Sequence, residues 1–163
     1  MQERCDDLPR VGVSLVLPGA FDRIEWYGRG PHESYPDRAR GAALGRYTST
    51  VAEQYVPYVR PQEHGHHTDT RWVAISDGRR GLLVTAPTPF GFSVLDHSVA
   101  AIDAAEHDVD LVRDDATHLH LDAHMRGLGT ASCGPDTLPQ YLVRGRRFRW
   151  TWSVTPFRGR PPV

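Results

Sequence analysis

Alternation of apolar and polar side chains is the feature that most constrains the fold of this chain. Residues 117–125 and 147–154 each carry an apolar side chain at every second position. Because successive side chains of a β-strand point to opposite faces, this period predicts two strands with one apolar face each. The apolar positions are Leu119, Leu121, Ala123 and Met125 in the first segment, and Phe148, Trp150, Trp152 and Val154 in the second.

Shorter runs of the same kind predict further strands. One helix is predicted over residues 98–107, which are rich in alanine, with Ser98 or Asp96 as its N-cap. Asp77 and Gly78 predict a tight turn between two strands. With 13 prolines and 15 glycines between short segments, the pattern indicates an all-β sandwich or barrel. The predicted strands cover residues 11–17, 21–27, 71–76, 81–86, 91–96, 109–113, 117–125 and 146–155.

Length and charge exclude several classes of protein. The 163 residues suit one domain, predicted over 10–157 with flexible ends at 1–9 and 158–163. A formal charge of −1 gives no electrostatic basis for binding nucleic acid or an anionic membrane. All 19 basic residues are arginine, which excludes Schiff-base and P-loop chemistry because both need a lysine amine. Two cysteines, Cys5 and Cys133, are too few for a disulfide framework or a thiolate zinc site.

Three long segments are the expected places for a site, because long loops in a compact β-domain are usually functional. They cover residues 28–43, 52–70 and 126–140. The first two hold carboxylates that could converge, although such groups more often cap turns or pair with arginine. Aromatic side chains near strand ends suit either stacking on a sugar or core packing. The carboxylates are Glu33, Asp37, Glu53, Glu63 and Asp69, and the aromatics are Trp26, Tyr27, Tyr35, Tyr55, Tyr58 and Tyr141.

Histidines form two groups in the sequence. Imidazoles two residues apart on a strand can share a zinc ion with a carboxylate. For the second group, however, the histidines alternate with the apolar positions, so a solvated polar face explains them as well. We therefore predict no metal site in this chain. The first group is His64, His66 and His67 with Asp69, and the second is His118, His120 and His124 with Asp122.

Three segments together resemble a known family. Residues 26–38 (WYGRGPHESYPDR), 55–65 (YVPYVRPQEHG) and 127–135 (GLGTASCGP) are similar, in order and spacing, to segments near the C-terminus of large bacterial β-galactosidases of glycoside hydrolase family 2. The resemblance covers about residues 10 to 157. It implies a large antiparallel β-sandwich, the supersandwich type related to galactose mutarotases.

The resemblance implies a supporting role for the domain. In such enzymes the catalytic glutamates, with Mg and Na ions, lie on a separate (β/α)₈ barrel, so no catalytic residue and no cofactor is expected here. The expected partners are the rest of a β-galactosidase chain and a galactoside, hydrolysed in the parent with retention through a covalent intermediate. A cytoplasmic location is expected. A domain separated from its parent should also expose an apolar patch, through which the separated domain could form an artificial homo-oligomer.

The resemblance places a substrate-pocket loop at residues 127–135. Gly129 lets this loop bend, and Ser132 and Cys133 are expected to face the substrate. Some family members place a tryptophan at the position of Cys133, and a cysteine offers much less area for stacking. Glu33, Arg38 and Glu63 are expected to hold the long loops through ion pairs and hydrogen bonds. In the complete enzyme, Glu33→Gln or Glu63→Gln is therefore predicted to act mainly on stability. The melting temperature should fall, and transition-state stabilisation should change less.

Two other functions remain open at this stage. An aldose 1-epimerase would use a carboxylate and an imidazole as general base and acid. The candidates are Glu33 or Glu63 with His64, His66 or His124. A carbohydrate-binding module without catalysis is the second alternative, and it overlaps with the role of a β-galactosidase domain.

Overall fold

The computed structural model describes residues 7–129 and 134–163. Seven β-strands and one short helix make up its regular structure. The strands are β1 (Arg10–Pro18), β2 (Arg23–Gly30), β3 (Ala43–Thr50), β4 (His67–Ser76), β5 (Arg80–Leu95), β6 (Ala116–Met125) and β7 (Ser153–Arg158). The helix, α1, spans Val99–Ala104, and 3₁₀ turns occur at Ala52–Gln54, Asp108–Asp110 and Pro139–Tyr141.

The strands pair antiparallel in the order β1-β6-β5-β4-β2-β3, and β7 pairs with the first part of β5. Residues 80–85 of β5 face β7, whereas residues 91–95 face β6. The prediction of an all-β antiparallel sandwich is confirmed. No helix in the described part of the chain is long and apolar enough to cross a membrane.

The hydrophobic core lies on one face of this sheet. Leu119 and Leu121 of β6 are fully buried, as their alternation predicts, and pack with Val73, Ile75 and Val84 from neighbouring strands. Trp26 of β2 is also buried, and its indole N–H donates to the carbonyl of Arg29 at 3.0 Å. The buried indole therefore keeps a hydrogen-bond partner, as a buried polar group requires.

Several local predictions are confirmed. Ser98 caps α1, because its hydroxyl accepts from the Ala101 N–H at 3.1 Å. The turn at Asp77 and Gly78 joins β4 to β5, and Gly78 has a φ of 85°. The helix is shorter than predicted.

Other predictions are wrong. The strands expected at 81–86 and 91–96 form the single strand β5. Residues 109–113 contain a 3₁₀ turn, and Val109 is 90% exposed, so its apolar side chain has no core to join. Residues 146–152 form no strand with any described part of the chain, although Trp150 and Trp152 stack on each other and pack against the core. The strand β3 was not predicted.

Candidate functional site

The predicted pocket loop is fixed at both ends by one arginine. Arg126 follows β6 and donates to Asp136 Oδ1 at 3.0 Å and to Thr137 Oγ1 at 2.9 Å. Thr137 in turn donates to the carbonyl of Gly127 at 2.8 Å. A second carboxylate, that of Asp7, also accepts from Arg126. The two ends of the loop are therefore joined close to the sheet.

A second contact ties this loop to the connection between β2 and β3. Asp37 Oδ2 accepts from the Gly129 N–H at 2.7 Å. Gly129 has a φ of 63°, and an added Cβ would lie 2.6 Å from the Thr137 nitrogen. Glycine is therefore required here for both conformation and space. We call Asp37, Arg126, Gly127, Gly129 and Thr137 the loop base.

The loop base stands beside a cavity of about 340 Å³. Pro36, Tyr141, His124 and the fully buried His66 contribute to its wall. The predicted substrate-facing residues Ser132 and Cys133 lie outside the described residues. Of the three residues predicted for the pocket loop, the structure therefore places Gly129 alone.

Glu33 joins two separate segments through three hydrogen bonds. Its Oε1 accepts from Arg38 at 2.5 Å and from the Tyr58 hydroxyl at 2.5 Å, and its Oε2 accepts from the Gly65 N–H at 2.7 Å. The contacts link the segment after β2 to residues 58–65. They are the kind of ion pair and hydrogen bond predicted for Glu33 and Arg38, although their functional role stays a prediction.

Glu63 belongs to a buried group of charged and aromatic residues, which we call the ion cluster. Arg10 donates to Asp122 at 3.1 and 2.6 Å in a two-pronged pair, and its third nitrogen lies 3.5 Å from Glu63 Oε2. The Tyr35 hydroxyl donates to Glu63 Oε1 at 3.3 Å. The Tyr35 ring stacks on His66, whose Nδ1 lies 3.6 Å from Asp122 Oδ2. The ion cluster is therefore Arg10, Tyr35, Glu63, His66 and Asp122.

Two glycines make room for the ion cluster in the sheet. Gly12 of β1 and Gly91 of β5 both pair with Asp122 of β6. A Cβ on Gly12 would lie 2.4 Å from Asp122 Oδ1, and one on Gly91 would lie 2.3 Å from His66 Nε2. Larger residues at either position would displace the buried charges.

Burial dominates the electrostatics of this region. It raises the pKa of Glu63 and of Asp122, although Arg10 partly opposes both shifts. It lowers the pKa of His66 well below the usual value and that of His67 to about 4. The histidines are therefore neutral near pH 7, because charging them in this environment costs desolvation.

The structure corrects the interpretation of the second histidine group. His124 is exposed, but His120 and Asp122 are buried, so this side of β6 is not a solvated face. Residues 60–63 and α1 line a cavity on this side of β6 together with His120. Glu63 and His66 lie near Arg10 and Asp122 on the same side. His118 Nε2 lies 2.8 Å from Asp114 Oδ2. Within residues 7–129 and 134–163, no three histidine, cysteine or acidic residues are grouped so that they could hold a metal.

The other candidate side chains have mainly local contacts. Glu53 accepts from the Thr50 N–H at 2.7 Å, and Asp69 pairs with Arg29 at 2.6 Å. Trp26 and Tyr35 are buried, which favours packing over sugar stacking. His64, proposed for an epimerase, is buried, with Nδ1 2.8 Å from the carbonyl of Gln62.

Sequence reasoning missed Arg10 and Arg126. Arg10 meets Asp122 across 112 positions of sequence, and Arg126 meets Asp7 across 119. Nothing in the local pattern of either residue distinguishes it from the other arginines. The pairing of β1 with β6 brings Arg10 near Asp122, and only a long-range contact could have indicated it.

Comparison with known proteins gives consistent matches. The family described as "Beta galactosidase small chain" matches residues 1–154. A β-galactosidase of Arthrobacter sp. (strain B7) is 40% identical over 142 residues, which are 83% of this chain and 14% of that protein. The enzyme of Vibrio cholerae is 40% identical over 154 residues, or 92% of this chain and 14% of the relative. The enzyme of Kluyveromyces lactis is 37% identical over 150 residues, 91% of this chain and 14% of its own length. This chain thus spans about a seventh of the curated relatives it matches.

Proposed function

The chain belongs to the family of the beta galactosidase small chain, and on that basis we propose that it serves as the C-terminal β-sandwich domain of a β-galactosidase. The observation that carries the proposal is a match over residues 1–154 to this family, together with relatives that are about seven times longer. The partner we propose is the remainder of such a chain, and the substrate is a terminal β-galactoside.

The domain's contribution is a loop that closes one side of the substrate pocket. Asp37 and Arg126 support this role, because their hydrogen bonds to Gly129, Asp136 and Thr137 hold the pocket loop near both of its ends. In our proposal Ser132 and Cys133 meet the substrate, and the loop base sets their position. A loop fixed at its ends places such groups with less loss of entropy when substrate binds.

We assign no catalytic residue to this chain. Glu33 accepts three hydrogen bonds, and Glu63 is engaged with Arg10 and Tyr35, so both carboxylates have structural partners. The two carboxyl groups of a retaining hydrolase stand about 5 to 5.5 Å apart across the sugar. We propose that another part of the parent enzyme supplies them, with any Mg or Na ion. The cytoplasmic location and a homo-oligomeric state stay predictions.

A substitution at position 133 tests the pocket role in the complete enzyme. Cys133→Trp adds an aromatic surface at the proposed substrate contact, so we expect a lower KM for nitrophenyl galactoside. Leu138→Trp is the control, because Leu138 is an exposed residue in the same segment. Equal effects of the two substitutions on KM, or no effect of either, would contradict the proposed role of Cys133.

A further inference from the structure

The C-terminal part of the chain carries an unbalanced positive charge. Residues 137–163 hold six of the 19 arginines and no acidic residue, although the whole chain has a formal charge of −1. Four of these arginines fall between positions 144 and 149, and all four are exposed. We call residues 144–151 the arginine strip. Its arginines are Arg144, Arg146, Arg147 and Arg149.

The guanidinium groups of the arginine strip differ from those that support the sheet and the loops. Arg10, Arg29 and Arg126 each pair with a carboxylate. Within residues 7–129 and 134–163, no ion pair or side-chain hydrogen bond involves any of the four arginines of the strip. Their charge is therefore available to an acidic partner.

The backbone of the arginine strip is unpaired as well. Directly before the strip, Leu8 and Val143 form an antiparallel bridge in which the Leu8 N–H donates to the Val143 carbonyl at 3.0 Å. Shortly after it, β7 begins at Ser153. Between these two points, no backbone–backbone hydrogen bond joins residues 144–151 to another described part of the chain. A row of free N–H and C=O groups is a template for pairing with a further strand.

The arginine strip nevertheless has the side-chain order of a strand. Trp150 packs against the core, with its ring centroid 6.0 Å from that of Phe90, whereas Arg149 and Thr151 on either side of it are exposed. Trp152 continues this alternation and stacks on Trp150. Because the core already holds one face of the segment, an incoming strand would meet a backbone that needs little further ordering.

Charge and backbone together select the kind of partner. A second copy of the chain would bring a second set of arginines to the same edge, and like charges on neighbouring strands repel. A strand with carboxylates opposite Arg147 and Arg149 would instead form charge-assisted hydrogen bonds. A nucleic acid would meet the charge but offers no ladder to the backbone, and the indole of Trp150 is packed against the core rather than free to stack on bases.

We propose that the arginine strip is an edge that receives an extended acidic strand from the remainder of a β-galactosidase chain. The backbone of this strand pairs with residues 144–151, and its carboxylates meet Arg147 and Arg149. Phe148, which is 36% exposed, adds an apolar contact. The interface rests on the proposed function, since that function supplies the remainder of the chain, and it specifies where the two parts meet and with which charge.

Amide hydrogen exchange, read by mass spectrometry, tests the backbone part of this interface. The 163-residue chain is measured alone and then with the remainder of a β-galactosidase expressed without this domain. We expect residues 144–151 to exchange rapidly in the isolated chain, because their N–H groups are unpaired, and to become protected in the combined sample.

Charge reversal tests the acidic character of the partner strand. At low ionic strength, Arg147→Glu combined with Arg149→Glu should raise the Kd for the remainder about tenfold or more, because carboxylates then face carboxylates. Arg40→Glu combined with Arg79→Glu is the matched control, since both arginines are exposed and lie outside the arginine strip. The control should leave the Kd nearly unchanged, and equal Kd values for the two double variants would refute the acidic strand.

The remaining outcomes separate the alternatives. Protection of residues 144–151 in the isolated chain would mean that the chain itself covers this edge, which overturns the proposal. Recovered galactosidase activity without new protection would place the contact elsewhere and leave the proposed function standing. Neither binding nor recovered activity would refute the proposed function and the interface with it. Protection by single-stranded oligothymidylate that the Arg147→Glu and Arg149→Glu changes abolish would assign the strip to nucleic acid instead.

Discussion

The ion cluster and the loop base are both built from arginine and carboxylate, yet they differ in what the charges contact. In the ion cluster Arg10 pairs with Asp122, whose side chain is 2% exposed. The other members of the cluster include the stacked, buried rings of Tyr35 and His66. In the loop base Arg126 pairs with the exposed Asp136 and with the partly exposed Asp7, and it also donates to the Gly127 carbonyl and the Thr137 hydroxyl. The same chemistry therefore supports folding in one place and loop position in the other. Burial decides which role a pair has, because a buried charge without a partner is far more costly than an exposed one.

The substitution Asp122→Ala should produce the largest effect and tests the first half of this comparison. It leaves the Arg10 guanidinium without its two-pronged partner in a buried setting, and we expect a loss of about 3 kcal/mol or more. Urea denaturation measures the free energy of unfolding. Glu25→Gln is the matched control, since Glu25 pairs with the exposed Arg46 at 2.6 Å and should cost about 0.5 kcal/mol. A similar cost for both variants would contradict the claim that burial decides the cost of losing a charged partner.

Acid should destabilise the segment that carries the buried His67 before it affects the loop base. The pKa of His67 is about 4 in the folded chain because of burial, against an ordinary value of 6.5. As pH falls from 6.5 to 4 the unfolded chain takes up this proton first, so the free energy of unfolding decreases, by up to about 3 kcal/mol for this residue. In the loop base, Arg126 and the Thr137 N–H hold the pKa of Asp136 below its ordinary value of 3.8. The contribution of Asp136 therefore persists through the same pH range.

Urea denaturation at several pH values between 6.5 and 4 measures this slope. His67→Gln should flatten it, and His124→Gln, at an exposed position of β6, should not. The half-buried Glu63 and the buried Asp122 act in the opposite direction, because their raised pKa values favour the folded state on acidification. An unchanged slope in His67→Gln would show that burial of this ring does not control the acid response.

Glu33→Gln tests the link between the two regions, because Glu33 lies in the same connection as Asp37 and bonds to the segment that carries His66. The amide keeps one acceptor oxygen but loses the charge that Arg38 and Tyr58 share. We expect a loss of about 2 kcal/mol in the free energy of unfolding, in the range for hydrogen bonds to charged groups. Thermal denaturation of the chain and turnover of the complete enzyme are the measurements. A thousandfold loss of turnover with an unchanged melting temperature would assign Glu33 to catalysis instead.

Gly129→Ala should have a smaller effect on stability and tests the loop base. A φ of 63° costs a residue with a Cβ about 1–2 kcal/mol, and the Thr137 backbone is close to the added atom. Gly41→Ala is the control, because no atom of the described residues lies within 4 Å of its Cβ position and its φ is not positive. We expect the Gly129 variant to raise the KM of the complete enzyme by displacing the pocket loop. Equal KM values for the two variants would mean that the loop does not depend on its base.

The strands were predictable where alternation marks the side of the strand that meets the apolar core. The apolar positions of β6 show this, because Leu119 and Leu121 alternate and are fully buried. The same pattern failed in residues 146–152, where Trp150 and Trp152 pack on the core from an extended segment with no strand partner. Alternation thus reports side-chain packing, and it does not report backbone pairing.

The candidate site was predictable only through its motifs. The segments that contain Glu33, Asp37 and Glu63 were identified as long loops, but their mutual contacts depend on residues far apart in the sequence. The polar side of β6 was interpreted as solvated, since alternation alone cannot show that residues 60–66 cover it. Burial of His120 and Asp122 on that side is therefore the main feature that the sequence could not indicate.

Activity of the isolated chain tests the central proposal most directly. The 163-residue chain, purified free of other glycosidases, is incubated with nitrophenyl β-galactoside and then with the remainder of a β-galactosidase expressed without this domain. We expect no nitrophenol from the chain alone and release of nitrophenol when the two parts are combined, because in the proposed function the domain supplies a pocket wall and the remainder supplies the catalytic carboxyl groups. Steady nitrophenol release by the isolated chain would contradict the proposal.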